Sequence, residues 1–338
     1  MSKILKPLIT RLCNTEQLSF EEMKTAFSIL MSGEATIAQI TSFVVSLKMR
    51  GETASDIAAG ASEMRANASP VNVPDTSIEI VGTGGDGVHS LNISTAAAII
   101  VAGCGVPVAK HGNKAVSSKS GSADILNELG INLECDFANI EKAVRKAGIG
   151  FMMAPRHHPA LRFVGPTRVE LGFRTIFNLL GPLSNPAFVD KALIGVYDAK
   201  WGRPFAEALK LLGTKHAYIV HGDGGLDEVS LSGPTTVYAI DSGDISEFVI
   251  NPSDFGVSNA PLDAIKGGDA SFNARKLRGL LDGELGAYRD IACINAATAL
   301  VATKNEKQFG DAFKRAEAAI DSQAAKGALD QLVTITNS

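Results

Sequence analysis

The sequence predicts an α/β protein in which a small N-terminal helical domain joins a larger α/β domain with a mostly parallel central sheet. Three observations carry this. Helix-start signals and apolar faces at helical spacing fill the first seventy residues. From Ile78 onward, strand-like runs alternate with helical stretches, the pattern of a parallel sheet covered by helices. Glycine-rich loops follow several of those strands. At 338 residues, 45% of them hydrophobic, the chain is longer than one comfortable core. Domains are expected at 1–70 and 71–338, with a helical segment near 163–185 completing the first.

In the first domain, Ser19-Phe20-Glu21-Glu22 is a capping box, in which the hydroxyl takes the N3 amide and Glu22 reaches back. Phe20, Met23, Phe27 and Leu30 then share one helical face, and Gly33 marks the stop. Thr36 to Gln39 repeats the signal ahead of Ile40, Phe43, Val44 and Leu47, and Thr53 to Asp56 opens a third helix. Three such stripes cannot bury themselves, and a second subunit is a candidate cover.

Pro70 and Pro74 change the character of the chain. Ile78 to Val81 is the first strand. A helix from Ala96 to Ala102 leads to a strand at 106–109. Asp124 to Leu129 is helical, Ile131 to Leu133 extends, and Ile140, Val144 and Ala147 mark another helix before a strand at 151–154. Ala192 to Tyr197, Ala217 to Val220 and Thr236 to Ile240 are strands, the last turning at Asp241-Ser242-Gly243 into Ile245 to Ile250. Helices dominate after Asn273. The stretch Pro159 to Asn185, with Gly165-Pro166 and Gly181-Pro182, reads as a crossing between lobes.

Bulk properties exclude several classes. The net charge is −4, with acids and bases mixed, so the chain lacks the basic stripe a nucleic-acid partner requires. No run approaches the ~20 apolar residues of a membrane span, and Met1 to Leu5 opens no signal peptide. The four cysteines, Cys13, Cys104, Cys135 and Cys293, are scattered and read as reduced structural thiols of a cytoplasmic protein.

Chemistry concentrates in four loops. Gly82-Thr83-Gly84-Gly85-Asp86-Gly87 matches the G-x-G-x-x-G string of dinucleotide sites. Its helix starts late, however, and Lys110-His111 stands where that fold places an acid for the ribose. Asn92-Ile93-Ser94-Thr95 heads a helix, where Ser94 or Thr95 reads as the N-cap; the same amides make an anion site. Lys110 to Ser122 holds three lysines, four serines and two glycines with no acid, which suits a phosphate cradle better than a plain loop. In His221 to Glu228, the pair Asp227-Glu228 is either surface charge or a Mg²⁺ site that shares its ligands with substrate oxygens. His158 reads as a polar lining residue of the crevice. Arg168 either grips a planar carboxylate or pairs with Glu170.

Six stretches in chain order carry a resemblance: Val81 to Asp86, Asn92 to Thr95, Lys110 to Asn113, Ser117 to Gly121, Arg174 to Pro182, and Gly225 to Glu228. Together they resemble the anthranilate phosphoribosyltransferase family over nearly the whole chain. The resemblance implies transfer of 5-phosphoribose from 5-phosphoribosyl 1-diphosphate to the amine of anthranilate, a step of tryptophan biosynthesis, with release of diphosphate. It implies that Gly82, Gly85, Asp86, Ser90, Asn92, Ile93, Ser94, Thr95, Lys110, His111, Gly112, Asn113, Lys114, Ala115, Val116, Ser117, Ser118 and Ser122 hold the donor. Gly82, Asn113, His158 and Arg168 would face anthranilate, and Ser94, Asp227 and Glu228 would hold two Mg²⁺ ions. It also implies a homodimer formed through the helical domain. Lys114 stands where the family often has arginine and lacks that planar fork; Ser90 stands where threonine is common. No nucleophile–base pair is evident, and none is required by a neutral aromatic amine. The alternatives are a pyrimidine nucleoside phosphorylase-like enzyme, which would not need the Asp-Glu pair, and a non-catalytic nucleic-acid-binding relative, which the −4 charge and intact loops oppose.

Overall fold

Helix starts in the N-terminal region are set locally. Three of its helices, α2 (Phe20–Ser32), α3 (Ile37–Arg50) and α4 (Ala54–Ala66), open on Ser19, Thr36 and Thr53, each with a complete capping box. They follow α1 (Leu5–Cys13), which the sequence reading did not anticipate. Leu5, Leu8 and Leu12 line its buried face, but Ile4 at its cap makes no side-chain bond, so no start signal advertises it. The computed structural model describes residues 2–114 and 119–338.

The α/β part runs β1 (Glu79–Gly82), α5 (Ile93–Gly103), β2 (Val108–Gly112), α6 (Ser122–Glu128), α7 (Phe137–Lys146), β3 (Ile149–Met153) and α8 (Ala154–His157). The crossing segment supplies α9 (Gly165–Leu171) and α10 (Phe177–Leu180). Then come β4 (Lys191–Gly195), α11 (Gly202–Leu211), β5 (His216–Gly222), β6 (Thr235–Asp241) and β7 (Asp244–Ile250). Four helices finish the chain: α12 (Ala270–Leu281), α13 (Ala287–Ala302), α14 (Phe309–Asp321) and α15 (Ala324–Thr336). The expected extension at Ile131 to Leu133 is not a strand among the described residues.

β1, β4 and β5 pair in parallel, and β6 and β7 add an antiparallel edge. β2 and β3 form a parallel pair of their own. Ile78 links the two, donating its amide to Pro107 O at 2.9 Å and accepting from Ala109 N at 3.0 Å. The resulting order, β3-β2-β1-β4-β5-β6-β7, reverses direction between β1 and β4. In open α/β sheets the crevice at such a reversal, beyond the C-terminal strand ends, is where ligands sit.

Strand alternation sends side chains to two cores. Leu193 of β4 joins Ile80, α5 and the C-terminal helices on one face. Ala192 and Ile194 point the other way, into a core shared with α1–α4, α10 and α11. The helical stripes therefore need no second subunit for cover, because the sheet and the crossing segment bury them. Phe27, fully buried, meets Phe43 edge-on at 5.6 Å and Phe177 at 5.8 Å. An aromatic side chain in that position contributes about 2–3 kcal/mol from burial alone. Gly60 on α4 lets Leu180 and Phe27 approach where a Cβ would stand 2.9 Å from both. These contacts lock the crossing segment, and with it the residues that approach the sheet's crevice.

Candidate active site

Asp227 and Glu228 do not lie on the surface; they reach into the β1/β4 reversal. Asp227 Oδ2 accepts the Gly84 amide at 2.6 Å, and Glu228 Oε1 accepts the Ser94 amide at 3.0 Å. The loop after β5 thus closes onto the loop after β1 and onto the start of α5. Room for it comes from missing side chains. Gly82 and Gly195 are register partners in β1 and β4; a Cβ on Gly82 would strike the Asp227 carboxylate, and one on Gly195 the Asp227 carbonyl. Gly195→Ala is expected to displace the acid pair and lower kcat at least about tenfold. Single-turnover rates beside a thermal melt check this, and an unchanged rate would refute the packing argument.

Lys110 and His111 are strand residues of β2, not the first residues of a loop, and alternation drives them apart. Lys110 is buried, and its Nζ donates to Ile80 O at 2.7 Å and Ser94 Oγ at 3.3 Å. Burial lowers its pKa to about 8 against the raising fields of Glu228, Glu79 and Asp227, so it faces the acid pair. His111 turns to the opposite side, where its amide donates to Glu79 Oε1 at 3.0 Å and its ring meets His158 at 5.1 Å. Burial holds His111 well below the usual histidine range and His158 at about 4, so both imidazoles are neutral.

Burial also pushes the acids upward. The Asp227 carboxyl is raised to about 7, first by desolvation and then by the charge of Asp86. Glu228 is raised well above its ordinary value by desolvation and by Asp227. Ionising this pair beside Asp86, with the Lys110 ammonium opposite, would leave an excess of negative charge under the crevice. A cation answers that excess. Among the described residues no three His, Cys, Asp or Glu side chains form a closed metal cage. Such an open set suits Mg²⁺, which takes one or two carboxylates and completes its octahedron with substrate oxygens and water.

The helix start differs from the sequence expectation. Asn92, not Ser94 or Thr95, stands at the N-cap of α5, without a side-chain cap bond. Its Oδ1 instead accepts from Asn273 Nδ2 at 2.9 Å, and its carbonyl accepts from Tyr288 Oη at 3.3 Å. Ile93 and Thr95 are buried, at 1% exposure each, so side-chain contact from either to a ligand would require the helix to move. The favourable N-terminal field is already occupied in part by Glu228, through the Ser94 amide.

The remaining predicted residues surround this centre. Gly85 adjoins Gly84 in the glycine loop, and Asp86 Oδ1 accepts from Val88 N at 3.0 Å. Ser90 bridges to Lys266. Gly112 ends β2, packed against Ser122 Oγ and Phe151. Asn113 and Lys114 are exposed, and Asn113 O accepts from Ala123 N at 3.2 Å and Ser122 Oγ at 3.4 Å. Ala115, Val116, Ser117 and Ser118 lie outside the described residues. Arg168, in the last turn of α9, forms no ion pair among the described residues; its guanidinium lies 5.8 Å from the Phe177 ring. The pairing with Glu170 is not formed. Burial lowers the Arg168 pKa, the mark of a cation without an internal counter-charge.

Sequence reasoning did not single out Tyr288, Asn273, Tyr197 or the role of Arg174. Arg174 lies within the stretch Arg174 to Pro182. Asn273 and Tyr288 carry no local signal, since both bond Asn92 far away in the chain. Tyr197 bonds Trp201 nearby but meets Thr83 and Arg174 only through the fold.

The α/β part, residues 75–326, matches the family model described as glycosyl transferase family, a/b domain, and residues 6–68 match its helical bundle domain. The chain is 51% identical to anthranilate phosphoribosyltransferase of Azospirillum brasilense, over 99% of this chain and 94% of that one. The chain belongs to the anthranilate phosphoribosyltransferase family. The Rhizobium meliloti member is 50% identical over 98% of both chains. Among solved structures, the Thermus thermophilus member superposes with a TM-score of 0.93 at 38% identity, covering 98% of this chain and 99% of that one. The Saccharomyces cerevisiae member, in complex with PRPP and Mg, also gives 0.93, at 29% identity over 100% of this chain and 99% of that one.

Proposed function

We infer that this chain transfers 5-phosphoribose from 5-phosphoribosyl 1-diphosphate to the amine of anthranilate, releasing diphosphate, the second step of tryptophan biosynthesis from chorismate. The observation that carries the reading is the convergence of Asp227 and Glu228 on the glycine loop and the start of α5. We assign Ser94, Asp227 and Glu228 to Mg²⁺, two ions in keeping with the family resemblance. Gly82, Gly85, Asp86, Ser90, the start of α5 from Asn92 to Thr95, Lys110 to Ser118 and Ser122 are assigned to the donor. Gly82, Asn113, His158 and Arg168 are assigned to the acceptor. Residues 1–70, with the helical segment near 163–185, are proposed as one domain and 71–338 as the other. A second copy would dock on the helical domain, where Ile4, Ile37 and Met49 are exposed.

Cleavage at ribose C1 places positive charge on the sugar and negative charge on the departing diphosphate. Bound Mg²⁺ supplies positive charge to that leaving group, the largest electrostatic demand of the reaction. Lys110 holds the Ser94 hydroxyl from below and balances part of the acid pair, keeping it in place before the donor arrives. The amine of anthranilate is neutral at pH 7 and needs no strong base, in keeping with the neutral His111 and His158. A desolvated Arg168 grips the acceptor carboxylate through two parallel hydrogen bonds and so orients the nitrogen toward C1.

The test mixes the protein with Mg²⁺, 5-phosphoribosyl 1-diphosphate and anthranilate and follows loss of anthranilate fluorescence. Turnover that requires all three supports the reading; a protein that instead cleaves thymidine with inorganic phosphate would overturn it.

A further inference from the structure

The glycine loop is held from two sides. On one, Gly84 donates to Asp227. On the other, Arg174 Nη2 donates to the carbonyls of Gly84 and Gly85, at 2.8 and 2.7 Å. Both glycines have positive φ, +67° and +68°, so the loop follows a path that is costly for residues with a Cβ and easily lost in a free glycine chain. The Arg174 guanidinium lies 3.8 Å from the centroid of the Tyr197 ring. Tyr197 is itself fixed: its amide donates to Thr83 Oγ1 at 3.0 Å, and its hydroxyl accepts from Trp201 Nε1 at 3.0 Å. Thr83 in turn belongs to the glycine loop, so the contacts form a closed ring from loop to Tyr197 to Arg174 and back.

Arg174 stands between two anchors of the crossing segment. Six residues earlier is Arg168; three residues later Phe177 packs on Phe27. One guanidinium therefore joins the segment that carries the acceptor-side arginine to the loop that receives the donor.

We propose that Arg174 is a positioning residue that presets the glycine loop for the phosphoribosyl donor and ties it to the acceptor-bearing segment. It acts through the loop backbone and does not itself touch the reacting atoms. The inference rests on the transfer reaction proposed above. A planar guanidinium is required, because its face must cover the Tyr197 ring while Nη2 reaches both carbonyls; an ammonium keeps the charge and the donors but loses the stacking plane that aims them.

The experiment compares the wild type with Arg174→Lys, Arg174→Ala, Tyr197→Leu and Tyr197→Phe in steady-state kinetics with each substrate varied, beside thermal melts. Arg174→Lys and Arg174→Ala are expected to raise the donor KM about ten- to a hundredfold with a fall in kcat, while the anthranilate KM stays within about threefold. Tyr197→Leu should show a smaller change in the same direction, and Tyr197→Phe, which keeps the ring face, should stay close to the wild type. If Arg174→Ala does not fold, Arg174→Lys decides. An unchanged donor KM in Arg174→Lys overturns the proposal. So does a joint rise of both KM values with a lowered melting temperature, the signature of a merely structural residue. A wild type without transferase activity in the same assay would instead refute the function proposed for the chain.

Discussion

Asp227→Asn combined with Glu228→Gln is expected to lower kcat/KM by at least about a thousandfold, since the charge that holds Mg²⁺ against the leaving group is removed. The amide oxygens can still accept from Gly84 and Ser94, so the loops should stay in place. Stability should move the other way. The Asp227 carboxyl is pushed up to about 7 by burial and by Asp86. Between its ordinary range and that value, the folded chain holds a proton that the unfolded chain has released. Stability of the metal-free protein therefore falls as pH rises from roughly 4 to 7 and is regained on acidification through the same window. The double variant has no such proton to lose. In EDTA its melting temperature should exceed that of the wild type at neutral pH and vary less across this window. Normal turnover in the double variant would reject the metal role. A melting temperature below that of the wild type would show that the carboxylates stabilise the fold.

The second large effect is expected at Arg168. Its guanidinium is desolvated, forms no ion pair among the described residues and stands over Phe177. A charge-assisted, two-pronged contact with a carboxylate contributes about 1.5–3 kcal/mol, so Arg168→Ala should raise the anthranilate KM roughly ten- to a hundredfold. Arg168→Lys should recover only part of it, because the ammonium lacks the fork. The donor KM should hardly move. This separates Arg168 from Arg174, for which the opposite division is expected, although both lie on one short stretch of chain. If only the donor KM responds to Arg168→Ala, the assignment of this residue to the acceptor is wrong.

The difference between these two arginines marks the limit of reading the chain in one dimension. The pattern around Arg168 left a carboxylate grip and a pairing with Glu170 open, and the fold removed the second by forming no such pair. Arg174 offered no role until its segment was placed beside Gly84 and Gly85. Lys110 is legible as a cation near phosphate chemistry, but its polar string reads as loop where the last residues of β2 lie. Because β2 extends to Gly112, alternation buries the ammonium under Ser94, where it balances Glu228 rather than lying open in a cradle. The α5 cap was misplaced for a related reason: Asn92 is held by Asn273 and Tyr288, residues 181 and 196 positions away.

By itself the sequence determined the features that neighbours in the chain decide. These include the capped starts of α2, α3 and α4, the alternation of strands and helices, and the glycine, lysine and acid strings by which the family is known. Tertiary structure alone decided where the charges meet, how far they lie from water, and what they pair with. Desolvation and Coulomb energy depend on distances through space. Asp227 meets Gly84 across 143 residues of chain, and Glu228 meets Ser94 across 134.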